Sequence, residues 1–70
     1  MSVYDKLRTL GLTAETADAL APVLERYSEA KRSAFYFWAG GMTQRQACKE
    51  AGISKGQFCR ILEGLRAYYR

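Results

Sequence analysis

Two pairs of residues, Thr43 with Gln46 and Ser54 with Gln57, flank Gly52 and constrain this chain more than any other feature. A Thr or Ser hydroxyl in front of a helix accepts a hydrogen bond from the backbone N–H three residues on. A Gln at that third position reaches back to the first residue's own N–H, and the two bonds form a capping box. Two boxes mean two helix starts. Gly52 between them supplies the left-handed backbone that ends the first helix, and Ile53 is expected to be the buried residue of the turn. Met42 and Ala47 are placed as a weak hydrophobic staple, Ile53 and Phe58 as a stronger one. Phe58, Ile61, Leu62 and Leu65 recur at helical spacing and predict the inward stripe of the last helix. The segment therefore predicts two helices of unequal length joined by a turn of about three residues, the helix-turn-helix arrangement.

Upstream, "SVYDKLRTLG" places Val3, Leu7 and Leu10 on one helical face, with Ser2 as N-cap and Gly11 past the end. A short helix capped by Thr13 follows, turning Ala17, Leu20 and Ala21 inward. Pro22 lacks an N–H and clashes with a preceding turn, so it is expected to open a new helix as its first residue. From there Val23, Tyr27, Ala30, Ala34 and Phe37/Trp38 keep a helical rhythm to Gly40-Gly41. Within it, "AFYFWA" has strand propensity, but the pattern before it and the glycines after it favour helix. Phe35 and Tyr36 fall partly outside the stripe, so they either cap the far side of a small core or form a subunit interface. No linker, repeat or low-complexity segment interrupts the chain. The expected fold is all-α: one domain over residues 1–70, a small bundle of four or five helices with the helix-turn-helix at its C-terminal end. Residues 1–41 would be scaffold and dimer contacts, 43–65 the helix-turn-helix, and 66–70 a basic, aromatic end.

Charge is distributed unevenly. The chain has 70 residues and a net charge of +4. Up to Thr43, five basic residues balance five acidic ones, whereas from Gln44 onward six basic residues face only Glu50 and Glu63, so all of the +4 lies there. An anionic partner reached through the C-terminal half is the expectation. A chain this short buries only about 60% of its unfolded surface, so a partner subunit would help it. No apolar run approaches a membrane span and no secretory signal is evident, which predicts a cytoplasmic protein. Without histidine or a CxxC, Cys48 and Cys59 offer no zinc site and read as free thiols. No metal, cofactor or small-molecule ligand is expected. Catalysis is not expected either: there are no acids paired at a plausible spacing, no phosphate-binding glycine loop and no nucleophile with a base nearby.

From Gln44 to Glu63 the sequence resembles the helix-turn-helix family of DNA-binding proteins. The matching residues are Ala47 and Ala51, Gly52, Ile53, and Phe58 and Ile61. Cys48 stands where the family usually has alanine. In length and motif the chain is similar to small phage and plasmid repressors, among them the plasmid TrfB/Kor regulators. The resemblance implies that the second helix enters the major groove of double-stranded DNA, N-terminal end foremost. Ser54, Lys55, Gly56, Gln57, Cys59 and Arg60 would then face the bases, with Lys55 and Arg60 the candidates for guanine O6/N7. Gln57 is either held by its cap or reaches a base or phosphate, and Glu63 is a candidate negative selector. Thr43, Gln44, Arg45 and Lys49 would hold phosphate, with Arg66 and Arg70 extending the positive strip. Tyr68-Tyr69 would pack on the core, contact the DNA backbone or pair with a second subunit.

One decoy is present. "LGLTAETADAL" has the same glycine–apolar–hydroxyl opening as "AGISKGQFCRI", but its second helix carries Glu15 and Asp18 and no base, so phosphate would repel it. The implied function is a transcriptional regulator, a repressor acting as a homodimer on a pseudo-palindromic operator. The alternatives are a helical protein-interaction module and a DNA-packaging or recombination accessory factor.

Overall fold

A computed structural model describes residues 2–69, with the backbone alone for Tyr69. Among these residues the chain forms α1 (Val3–Thr9), α2 (Ala14–Leu24), α3 (Glu29–Ala39), α4 (Gln44–Ala51) and α5 (Lys55–Tyr69), with no strand. The all-α expectation holds. Arg70, expected to extend the positive strip, and the side chain of Tyr69 lie outside the described residues.

Three of the four junctions share one construction. Gly11, Gly41 and Gly52 take φ of 96°, 116° and 75°, a region that strains residues bearing a Cβ. The apolar residue after each glycine turns its N–H back on the preceding helix: Leu12 to the Leu7 carbonyl, Met42 to Phe37 and Ile53 to Cys48, at 3.2, 3.0 and 3.1 Å. A hydroxyl then caps the next helix, with Thr13, Thr43 and Ser54 accepting from the N–H of Thr16, Gln46 and Gln57 at 3.2 Å each. Each cap is worth about 1 kcal/mol. The glycine–apolar–hydroxyl unit is thus a general joint of this fold.

The fourth junction corrects the expectation for Pro22. That residue lies inside α2, which runs on to Leu24. Pro22 and Asp18, whose carbonyl loses the bond a proline cannot donate, are both exposed, so water can replace the missing partner. The chain breaks at Glu25–Ser28 instead. Ser28 Oγ accepts from the Lys31 N–H at 3.4 Å and caps α3. The Arg32 guanidinium reaches back to the carbonyls of Tyr27 at 3.0 Å and Glu25 at 3.5 Å, occupying acceptors just beyond the end of α2.

Starting α3 at Glu29 also resets which side chains face inward. Ala30, expected in the stripe, is exposed. Phe35, expected at its edge, is 1% exposed and lies at the centre of the core with Leu7, Leu20, Leu24, Phe58 and Leu65. Trp38 packs between Phe35 and Phe58, with ring centroids 5.9 and 6.2 Å away. The inward stripe of α5 is as expected: Phe58, Ile61, Leu62 and Leu65 are all buried. In layers, α1 packs on α2, α3 on α4 and α5, and α2 and α4 on α5. The last helix is therefore the common support. Gly64 lets it pass Tyr27, whose hydroxyl would lie 3.3 Å from an added Cβ.

Candidate nucleic-acid interface

The pair α4–α5 is held by its buried sides. Ala47 and Cys48 of α4 are buried, with Ala51 and the turn residue Ile53 half-buried, while α5 inserts Phe58 and Ile61. Everything else on the two helices up to Arg60 is left outward. Gln44, Arg45 and Lys49 on α4, Thr43 before it, and Ser54, Lys55, Gly56, Gln57, Cys59 and Arg60 are all exposed. Glu63 and Arg66 continue the exposed side of α5. Thr43, Arg45, Gln46, Lys49 and Glu50 border one shallow groove along α4. Two of its side chains are cationic and one is anionic, so Glu50 reduces the positive field within reach of Arg45 and Lys49.

The two capping pairs differ. Around Ser54 the box is closed, because the Ser54 N–H donates to Gln57 Oε1 at 3.1 Å while Ser54 Oγ accepts from the Gln57 N–H. Around Thr43 only half of the expected box forms. Thr43 Oγ1 accepts from the Gln46 N–H, and the Gln46 side chain makes no return bond among the described residues. Gln57, exposed as expected of a base-facing residue, has its amide oxygen committed to the cap. Gln46 has its whole amide available beside Thr43, Arg45 and Lys49. Sequence reasoning assigned Gln46 to the cap alone, since the spacing of the two pairs is identical.

Gly56 occupies open space, with no atom within 4 Å of an added Cβ. Nothing in the fold requires glycine there. The two thiols differ as well: Cys48 is buried and Cys59 exposed. Burial pushes the Cys48 thiol above its ordinary value, the neighbouring Cys59 adds to this, and Lys55 partly opposes it. Near the C-terminal end, Tyr68 is 42% exposed and so does not pack into the core, one of the three roles open to it.

No helix among the described residues is long and apolar enough to cross a membrane. A scan against protein-family models finds no match, and comparisons with curated proteins and with solved structures find none either.

Proposed function

We propose that the protein is a sequence-specific double-stranded DNA-binding transcriptional regulator, a repressor working as a homodimer on a pseudo-palindromic operator. The observation that carries this reading is the joint placement of charge and exposure. All of the net +4 lies after Thr43, and Arg45, Lys49, Lys55, Arg60 and Arg66 are exposed on two helices joined by one three-residue turn. In this reading α5 enters the major groove. Lys55 and Arg60 read base edges, each good bidentate contact being worth about 1–3 kcal/mol of discrimination. Arg45, Lys49, Thr43 and Gln44 hold phosphates, fixing register without reading sequence. The three similar joints mean that turn chemistry alone does not single out the reading helix. Charge disfavours α2, which carries Glu15 and Asp18 at the corresponding end, and α5 is taken as the reader over α4 because it is the second helix of the pair.

The test is selection of binding sites from a random duplex pool, followed by titration of variants against the selected and a shuffled duplex. Arg60→Ala is expected to lose discrimination between the two, by roughly ten-fold or more. Arg45→Ala is expected to weaken both evenly. Equal losses on both duplexes for both variants would overturn the division between base-reading and phosphate-holding residues.

A further inference from the structure

Away from α4 and α5, a groove runs between α1 and α3. Lys6 and Leu10 form one wall, and Ser33, Tyr36, Phe37 and Gly40 the other. Towards the start of α3 it continues past Glu29 and Arg32. We propose that this groove is the surface on which a second copy of the chain docks, two-fold related, groove against groove. The proposal rests on the DNA-binding reading for its purpose, which is to join two half-site readers, but not for its test.

Two observations favour a second copy as the occupant, and a third permits it. The first is an unfinished apolar helix. From Ala34 to Ala39 α3 is apolar all round, a pattern that belongs to a helix covered on every side. Its Ala34, Phe35 and Trp38 face is covered by this chain. Leu10 and Phe37 are only half-buried, and neither belongs to the core cluster or to the side chains packed on it.

The second observation is charge. The half containing the groove sums to zero, whereas the other half carries +4. Two copies meet with least repulsion through their neutral halves, which leaves both basic surfaces free. The groove carries both signs, Lys6 and Arg32 against Glu29, and the Arg32 guanidinium is already turned to the carbonyls of Tyr27 and Glu25. Glu29 and Lys6 both line it, yet neither makes an ion pair among the described residues, and the Lys6 ammonium rests 5.8 Å from the centre of the Tyr36 ring. A two-fold contact is isologous, so an ion pair across it needs both signs on the same patch. An antiparallel pairing supplies Lys6 of one copy to Glu29 of the other.

The third is area. A stable interface buries about 800 Å² per partner, about a sixth of the 4646 Å² surface. Any one side of a body measuring 29 × 21 × 20 Å presents about that share, so size permits the docking without itself marking out this side.

The test is the mass in solution, by light scattering after size exclusion and without DNA, of the wild type, Phe37→Arg and Ser33→Arg. Ser33→Arg plugs the groove and removes no apolar contact, so it decides the matter if Phe37→Arg fails to fold. The expected result is twice the 7.9 kDa chain mass for the wild type and once for the variants. The folded monomeric variants are expected to keep wild-type affinity for a single half-site duplex and to lose ten-fold or more on the paired site. A monomeric wild type would overturn the proposal and leave the groove to a partner of other chemistry, and so would a folded Ser33→Arg that remains dimeric. A dimer dispersed by these variants that binds no DNA would sink the DNA reading and leave the interface standing.

Discussion

Gly56 and Gln57 adjoin each other at the start of α5, and both bear on the proposed reading of DNA by that helix. A glycine in an exposed helix costs up to about 1 kcal/mol relative to alanine, and no fold contact at Gly56 requires it. Gly56→Ala is therefore expected to raise the thermal midpoint while weakening DNA binding, because the added methyl holds the backbone off the groove floor. Unchanged affinity in the stabilised variant would show that close approach is not the reason for the glycine. The two thiols supply a second prediction. A maleimide is expected to label Cys59 rapidly in the folded protein and Cys48 only as fast as the chain opens. Because burial raises the Cys48 thiol, the folded state binds its proton more tightly than the unfolded state does. The stabilisation this gives is full below the ordinary thiol range and is lost as pH rises from that range through the raised value of the folded state. Thermal melts should thus show a steeper alkaline decline for the wild type than for Cys48→Ala. The exposure of Cys59 was legible from its place outside the α5 stripe. The difference between Gln46 and Gln57 was not, because equal spacing cannot tell whether an amide closes its box.

The break between α2 and α3 shows where reading by pattern stops. Pro22 is the strongest helix punctuator in the chain, and a helix start at that residue follows from its chemistry. The structure keeps it inside α2, where it is exposed and near the end, and the chain turns at Ser28 instead. In the sequence Ser28 falls inside the helix expected to run from Pro22 to Gly40-Gly41, and its role shows only when its capping bond and the reach of Arg32 back to Tyr27 are seen together. The misplaced start shifted the register by enough to move Phe35 from the edge of the core to its centre. Ser28→Ala is expected to cost about 1 kcal/mol, measurable by urea titration with little change in the denaturant slope. No loss would mean that the α3 start is fixed by Arg32 and packing alone. By contrast the starts of α4 and α5 were legible, since cap, glycine and stripe agree there, whereas α5 runs on to Tyr69, past the expected end at Leu65. The α1–α3 groove was not legible: periodicity identifies an apolar face but not which neighbour, if any, covers it.

Taken as one body, the protein separates a neutral scaffold from a basic pair of helices on a shared core. The chain's apolar weight lies mainly in α2, α3 and α5, and α4 rests on α3 and α5 through Ala47 and Cys48. This leaves a charged surface built on helices rather than on loops, which suits a reader that must hold its register. Electrostatic attachment to DNA has a signature that an apolar protein-binding module lacks, because each neutralised phosphate releases counterions. The measurement to make is the affinity of the purified protein for its selected duplex and for a shuffled one, by fluorescence anisotropy over a range of salt concentrations. With Arg45, Lys49 and Arg66 on phosphates, the slope of log K against log salt should be about −3 per subunit, with the selected duplex preferred throughout. A flat salt response, or no binding to either duplex at low salt, would contradict DNA binding through α4 and α5.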